Sequence, residues 1–87
     1  MAYQILIEKG AEKDLKKLSK EIQEKIIETI LNLKNNSRPL GVRKISDSDD
    51  YYRLRAGDYR IIYEINDKKK KINIFRIRHR KEAYLNL

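Results

Sequence analysis

The chain has 87 residues, 39% charged and 40% apolar, which suffices for one modest hydrophobic core. Its 21 lysines and arginines against 13 acidic residues give a net charge of +8, which favours RNA, DNA, an acidic protein or an anionic membrane surface as partner. The absence of cysteine excludes disulfides and thiolate zinc sites, and the lone His79 would hold a metal only with carboxylate help. We expect one cytoplasmic domain over residues 1–87, since no apolar run approaches the ~20 residues of a membrane span and no signal-peptide pattern opens the chain.

The first predicted elements are a short strand and two helices. Residues 3–8 alternate between two faces and form the strand, which Gly10 ends. Beyond it the apolar residues follow a helical spacing and form one stripe: Ala11, Leu15, Leu18, Ile22, Ile26, Ile30 and Leu33. Ser19 interrupts this stripe as a candidate N-cap. We therefore predict two helices, over about 11–18 and 20–35, folded as a hairpin or joined at a kink.

The second half of the chain predicts an antiparallel meander. After a connector with an extended piece near residues 42–45, the predicted strands cover 51–56, 59–65 and about 71–78. Glycine, aspartate, asparagine and lysine residues provide the two turns between them, and the last residues form a short tail or helix. The expected fold is therefore α+β, in the order β-α-α-β-β-β. A helical hairpin packs on one face of a small, mostly antiparallel sheet.

Alternation along these strands separates an apolar face from a basic one. The residues predicted to face the helices are Leu54, Ile61, Tyr63, Phe75 and Ile77. The opposite face receives six of the eight arginines, namely Arg53, Arg55, Arg60, Arg76, Arg78 and Arg80. Like charges on neighbouring strands cost up to about 1 kcal/mol per pair, so we expect an anion to neutralise them. The alternative is a solvated face paired with Glu64, Asp58 and Asp67, but three carboxylates cannot pair six guanidinium groups.

Three segments of the chain resemble a known family: "KDLKKLSKEIQEKIIETILNLKNN", "RLRAGDYRIIYEI" and "IFRIRHRKEAY". Together they resemble the RelE/ParE superfamily, toxins of type II toxin–antitoxin pairs, and within it the RelE-type mRNA interferases. The resemblance implies an endoribonuclease without metal or cofactor, which cleaves mRNA in the A site of the small ribosomal subunit. The 2′-hydroxyl attacks the adjacent phosphate. It also implies a cognate RelB-like antitoxin that folds over the toxin in a hetero-oligomer.

The resemblance also implies roles for individual residues. The predicted catalytic residues are Arg53, Arg55, Arg60, Arg80 and Tyr84, and the predicted RNA-binding residues are Lys44, Arg78, His79 and Lys81. Arg53 matches the position proposed to receive the 2′-hydroxyl proton, Arg80 the general acid, and Tyr84 the tyrosine that orients the nucleotide; Arg55 and Arg60 match phosphate-binding positions. Because a guanidinium is a poor general base, Arg53 is expected to act by electrostatics. Proton transfer would then use a substrate oxygen, a water or His79.

Two other functions stay open at this point. A non-enzymatic, ParE-like inhibitor of DNA gyrase would share the fold, and a plain RNA-binding domain would use the basic face without chemistry. The convergence of several arginines with Tyr84 favours the nuclease. Tyr84 has the alternative of packing a short tail on the core. Strand parity places His79 on the helix side of the sheet, where a structural or RNA-stacking role is the alternative to catalysis.

Overall fold

Two helices lie on one face of a five-stranded mixed sheet. The computed structural model describes residues 2–45 and 50–79, so the predicted C-terminal tail lies outside the described residues. The elements are β1 (Gln4–Ile7), α1 (Lys9–Lys16), α2 (Lys20–Asn32), β2 (Arg43–Lys44), β3 (Tyr51–Ala56), β4 (Tyr59–Asn66) and β5 (Lys71–His79). The sheet order is β1-β5-β4-β3-β2, in which β1 runs parallel to β5 and the other described pairs are antiparallel. The predicted α+β fold is confirmed.

One N-cap and one close contact mark where the two helices begin. Ser19 is the N-cap of α2, as predicted, and its Oγ accepts a hydrogen bond from the Ile22 amide at 3.4 Å. Helix α1 begins at Lys9, so Gly10 lies in its first turn and does not end the preceding strand, contrary to prediction. A Cβ on Gly10 would lie 2.9 Å from Cδ of Arg76, so a glycine here permits α1 to approach β5.

The core fills the space between the two helices and the sheet. Its buried members are Ala11, Leu15, Ile26, Ile30, Leu33, Tyr52, Leu54, Ala56, Ile61, Tyr63, Ile65, Ile72, Ile74 and Ile77. Tyr63 is fully buried, and its hydroxyl donates a hydrogen bond of 2.9 Å to the backbone oxygen of Ser37. Burial raises the pKa of Tyr63, which keeps this donor protonated. The bond joins the segment after α2 to the centre of the sheet.

Phe75 does not face the helices, contrary to the sequence prediction. The pairing of β4 with β5 slips by one residue at this point, which leaves Phe75 as the extra residue of a β-bulge. Ile72 and Ile74, which regular alternation would place on the side opposite Phe75, are therefore the fully buried core residues of this strand. The ring of Phe75 instead stacks on Tyr51 with centroids 5.2 Å apart. A bulge changes the phase of alternation, so a rule that assumes a regular strand fails on one side of it.

Neither helix in the described part of the chain has the length and apolarity required to cross a bilayer.

Candidate functional site

Arginines from four neighbouring strands lie in two rows across the sheet. In the first row, Arg55 of β3 pairs with Arg60 of β4, which pairs in turn with Arg78 of β5. In the second row, Arg43 of β2 pairs with Arg53 of β3. Core residues alternate with Arg53 and Arg55 along β3, so these two arginines lie on the side opposite the helices. Arg78, at the end of its row, also borders the cavity next to Asp14 of α1. We call these five residues the arginine face.

A cavity of about 290 Å³ opens within the arginine face. It is lined by Gly41, Arg43, Arg53, Arg55 and Arg60. Arg53 and Arg60 are half-buried, and the Nη1 atom of Arg60 is shielded from solvent. Arg55 is exposed, and its Nε donates a hydrogen bond of 3.1 Å to the backbone oxygen of Gly57. Guanidinium groups arranged around one space bind phosphate through paired, charge-assisted hydrogen bonds, so the cavity has the chemistry of an anion site.

The described lining of this cavity contains neither a carboxylate nor a histidine. His79 lies on the helix side of the sheet, as strand parity predicts, with its ring 5.3 Å from that of Tyr59 in an edge-on arrangement. It borders a separate cavity of about 310 Å³ together with Tyr59 and Asp14. The site therefore offers charge to stabilise an oxyanion, whereas the proton-transfer role considered for His79 has no support in its position.

Arg76 belongs to an ion pair with α1 and does not line the arginine cavity. Its Nε and Nη2 donate to the two carboxylate oxygens of Asp14 at 2.9 and 3.1 Å, and the Ile77 amide also donates to Asp14 at 2.9 Å. Burial alone would raise the pKa of Asp14, but these hydrogen bonds and the charges of Arg76 and Arg78 hold it below 3.8. Arg76 therefore has a structural role and does not take part in the arginine cluster that the sequence predicts.

Sequence reasoning selected Lys44 as an RNA contact and missed Arg43. Lys44 pairs with Tyr52, whose ring packs in the core, so the register places Lys44 on the helix side of the sheet. Arg43 pairs with Arg53 and lines the cavity. The only signal for Arg43 is its parity with Arg53, and this parity becomes visible only once β2 is known to pair with β3. The predicted contact of Lys44 with RNA stays a prediction. Its position on the helix side of the sheet does not favour that contact.

Two of the carboxylates considered as internal partners of the arginines are engaged elsewhere. Asp67 accepts hydrogen bonds from Tyr3 and, at 2.9 Å, from Arg38. Glu64 accepts a hydrogen bond of 3.2 Å from the side chain of Asn73. Across the described ranges, no three histidine, aspartate or glutamate side chains come together as a candidate metal site. Arg80, Lys81 and Tyr84 lie outside the described residues, so their predicted roles stay predictions.

A family model described as "ParE toxin of type II toxin-antitoxin system, parDE" matches residues 5–84. This chain belongs to that toxin family. The toxin is 31% identical over 83 residues to "Toxin RelE" of Mycobacterium tuberculosis, a match that covers 94% of this chain and 86% of the relative. It is 36% identical over 84 residues to "Toxin RelE3" of Methanocaldococcus jannaschii, with 92% and 93% of the two chains covered.

The fold of this toxin is also that of a solved relative. The toxin superposes on a chain of the archaeal RelE–RelB complex from Pyrococcus horikoshii with a TM-score of 0.82 and 35% identity. The superposition covers 92% of this toxin and 97% of that chain. These matches confirm the resemblance to the RelE/ParE superfamily that the sequence motifs indicate. The matching family model carries the ParE name, whereas these relatives are named RelE.

Proposed function

We propose that this toxin is a ribosome-dependent endoribonuclease that cleaves mRNA in the A site. The observation that carries the proposal is the cavity lined by four arginines, drawn from β2, β3 and β4. A cationic cavity of this kind suits the extra negative charge that a phosphate acquires during cleavage. The names of its RelE relatives support the same assignment.

The proposed reaction uses the RNA itself as the nucleophile. The 2′-hydroxyl oxygen attacks the adjacent phosphorus, the bond from phosphorus to the 5′ oxygen breaks, and a 2′,3′-cyclic phosphate and a free 5′-hydroxyl remain. One proton leaves the 2′-hydroxyl and one reaches the departing 5′ oxygen. Arg55 and Arg60 are adjacent across β3 and β4, so they are suited to hold the non-bridging oxygens of the phosphate between them.

Arg53 and Arg43 would assist from the next row of the arginine face. Guanidinium groups retain their proton, so Arg53 acts in this proposal by stabilising the attacking oxyanion and placing the phosphate. The 2′-hydroxyl proton then passes to water or to a substrate oxygen. Arg80 as the general acid and Tyr84 as the residue that orients the nucleotide complete the proposed site. Transition-state electrostatics of this kind is worth several kcal/mol, on the order of a hundredfold or more in rate.

The proposed partner is a RelB-like antitoxin, as in the RelE–RelB complex of the archaeal relative. A net charge of +8 favours rapid association with an acidic, partly disordered chain. Strands β1 and β2 form the two edges of the described sheet, and an edge strand can accept an added strand from a partner. Binding of such a segment over the arginine face would exclude RNA, which is how neutralisation would follow.

Inhibition of DNA gyrase is the second candidate function, because the matching family model carries the ParE name. A gyrase inhibitor of this fold acts by binding and does not need arginines arranged around one cavity. The two functions therefore differ in whether the arginine face performs chemistry on RNA.

The deciding experiment incubates the purified toxin with ribosomes programmed with a defined A-site codon and maps new mRNA 5′ ends. Arg55→Ala and Arg60→Ala should each lower cleavage by at least about 100-fold while circular dichroism shows an unchanged fold. Lys69→Ala is the matched control, since Lys69 is an exposed cation in the turn between β4 and β5. Full cleavage by either arginine variant would refute the site. Gyrase inhibition without cleavage would establish the second candidate, and RNA binding with neither activity would indicate a plain RNA-binding domain.

A further inference from the structure

Two aromatic side chains stack on each other beside the arginine face. Tyr51 precedes Arg53 by two residues on β3 and therefore lies on the same side of the sheet. The ring of Phe75 contacts that of Tyr51 with centroids 5.2 Å apart and an interplanar angle of 29°. Both side chains are half-buried. The two rings thus form a partly exposed aromatic surface on the basic side of the sheet.

Phe75 is the extra residue of the bulge in β5. It follows the core residue Ile74 and therefore lies on the arginine side, whereas a regular strand counted back from the core residue Ile77 would place it toward the helices. The bulge thus lets Ile74 and Ile77 both enter the core while Phe75 stays on the side of the sheet that carries the charges. β-bulges are over-represented next to active sites, where they re-aim a side chain. The placement leaves the ring of Phe75 half-buried on the arginine side, where it stacks on Tyr51.

The alternative is that Tyr51 and Phe75 have only a structural role and cover Ile62. Ile62 lies on the arginine side of β4, opposite Arg53, yet it is only 8% exposed. A leucine at either position would also supply apolar area beside Ile62, because hydrophobic burial depends on apolar area and requires no π-face. What the stacked rings add is a flat surface next to guanidinium groups. Proteins that bind single-stranded nucleic acid combine these two features, a cationic groove for the backbone and aromatic faces for the bases.

We propose that Tyr51 and Phe75 form a stacking platform for the base of a nucleotide next to the phosphate held in the arginine cavity. Along β3, Tyr51 is about 7 Å from Arg53, a separation that one nucleotide can bridge. This proposal rests on the proposed function in one respect, because it takes the bound RNA to be the substrate that the toxin cleaves. The platform binds the base of one nucleotide by stacking. The arginines bind the RNA backbone and do not depend on the identity of the base.

The test measures binding of a fluorescent single-stranded RNA octamer and of octamers that carry one abasic nucleotide at each position in turn. Loss of the stacked base should weaken binding to the wild-type toxin roughly tenfold at one position. Tyr51→Leu and Phe75→Leu should each remove this dependence, because leucine keeps the cover over Ile62 but has no π-face. Tyr51→Phe should keep it. Arg55→Ala should weaken binding of intact and abasic RNA by the same factor.

The outcomes separate the platform from the proposed nuclease. If both leucine variants, folded by circular dichroism, retain the abasic penalty, the platform is overturned even where the ribosome assay shows cleavage. If the penalty depends on the rings but no cleavage occurs, the platform stands and the nuclease falls. Absence of any RNA binding by the folded wild-type toxin overturns the platform. The platform is also overturned if the leucine variants bind RNA normally but lose affinity for a co-purified antitoxin. The aromatic surface would then bind a protein partner.

Discussion

Arg53 occupies the second row of the arginine face, between Arg43 on β2 and Ile62 on β4. Like charges directly opposite each other in a sheet are destabilising, by about 0.2–1 kcal/mol per pair. The arginine face contains three such pairs, two of them through Arg60. A surface built for stability alone would not place them together. This cost is understandable if a polyanion occupies the face during function, because phosphate oxygens then neutralise the guanidinium groups.

Arg43 and Lys44 are adjacent residues of β2 on opposite sides of the sheet, so their alanine variants can be compared directly. Arg43→Ala should lower single-turnover cleavage on programmed ribosomes about tenfold, because one of the cations around the phosphate is lost. Lys44→Ala removes the same charge from the helix side of the sheet and should change the rate less than twofold. The measurement is the first-order rate of appearance of the cleaved 5′ end. The reverse order of effects would show that the sequence-based choice of Lys44 is right and that β2 does not present Arg43 to RNA.

At the scale of elements, α1 is joined to the sheet by a polar contact as well as by its apolar face. Asp14 lies near the C-terminal end of α1 and is 13% exposed, and it binds both the side chain of Arg76 and the amide of Ile77. Gly10 permits the approach at the opposite end of the helix. The contact thus fixes α1 against β5 next to the bulge that turns Phe75 toward the arginine face. The helix therefore supports the geometry of the site from the other side of the sheet.

Asp14→Asn should lower the free energy of unfolding at pH 7 by about 1–3 kcal/mol, because charge-assisted hydrogen bonds to a largely buried carboxylate are lost. The pKa of Asp14 is lower in the folded state than in the unfolded state. Its stabilisation is therefore complete above the unfolded pKa and is lost as pH falls through the folded pKa. The difference between variant and wild type, measured by urea unfolding, should shrink as pH falls from 7 toward 2.

Asp67→Asn is the control for this prediction. The hydrogen bond from Arg38, then that from Tyr3, lowers the pKa of Asp67, so its pH dependence has the same sign. Its side chain is 53% exposed, and solvent screens an exposed pair, so the substitution should cost less than Asp14→Asn. Equal losses for both variants, or a loss for Asp14→Asn that does not change with pH, would contradict the role given to the α1–β5 contact.

At the scale of the whole molecule, the net charge of +8 and the arginine face act at different distances. The overall charge attracts any polyanion over roughly one Debye length, about 8–10 Å at physiological salt. In the proposed function, the arginine face then makes the short contacts that orient the bound phosphate. The first effect is spread over many exposed lysines, whereas the second depends on the five arginines at defined positions in the sheet.

Salt dependence should separate these contributions. If the four cavity arginines each neutralise one phosphate of a single-stranded RNA, the logarithm of the dissociation constant should rise with the logarithm of salt concentration with a slope of about 3. Arg43→Ala should reduce this slope by about 0.7, as one contact is removed. Lys69→Ala should leave it nearly unchanged. A slope near zero would show that RNA is not held by its phosphates, and equal reductions for both variants would show that charge alone, not position, decides binding.

The local features of this toxin follow from residues close together in the sequence. Ser19 caps its helix, the β3–β4 hairpin lies where alternation predicts it, and Arg53, Arg55 and Arg60 share the face opposite the core. These features depend on residues that are neighbours along the chain, so helix and strand periodicity suffices to predict them. The family motifs added the roles expected of these arginines.

Contacts between distant elements establish which other residues join these features. Arg43 enters the cavity because β2 pairs with β3, and Arg76 leaves the predicted cluster because Asp14 of α1 binds it. Phe75 lies on the arginine side, contrary to alternation counted back from Ile77, because the β4–β5 pairing slips by one residue at the bulge. Strand pairing, bulges and ion pairs between elements depend on contacts between residues far apart in the chain. Alternation within one strand carries no information about its partner, and this is why it placed Arg53, Arg55 and Arg60 on one face but misplaced Phe75 and did not indicate Arg43.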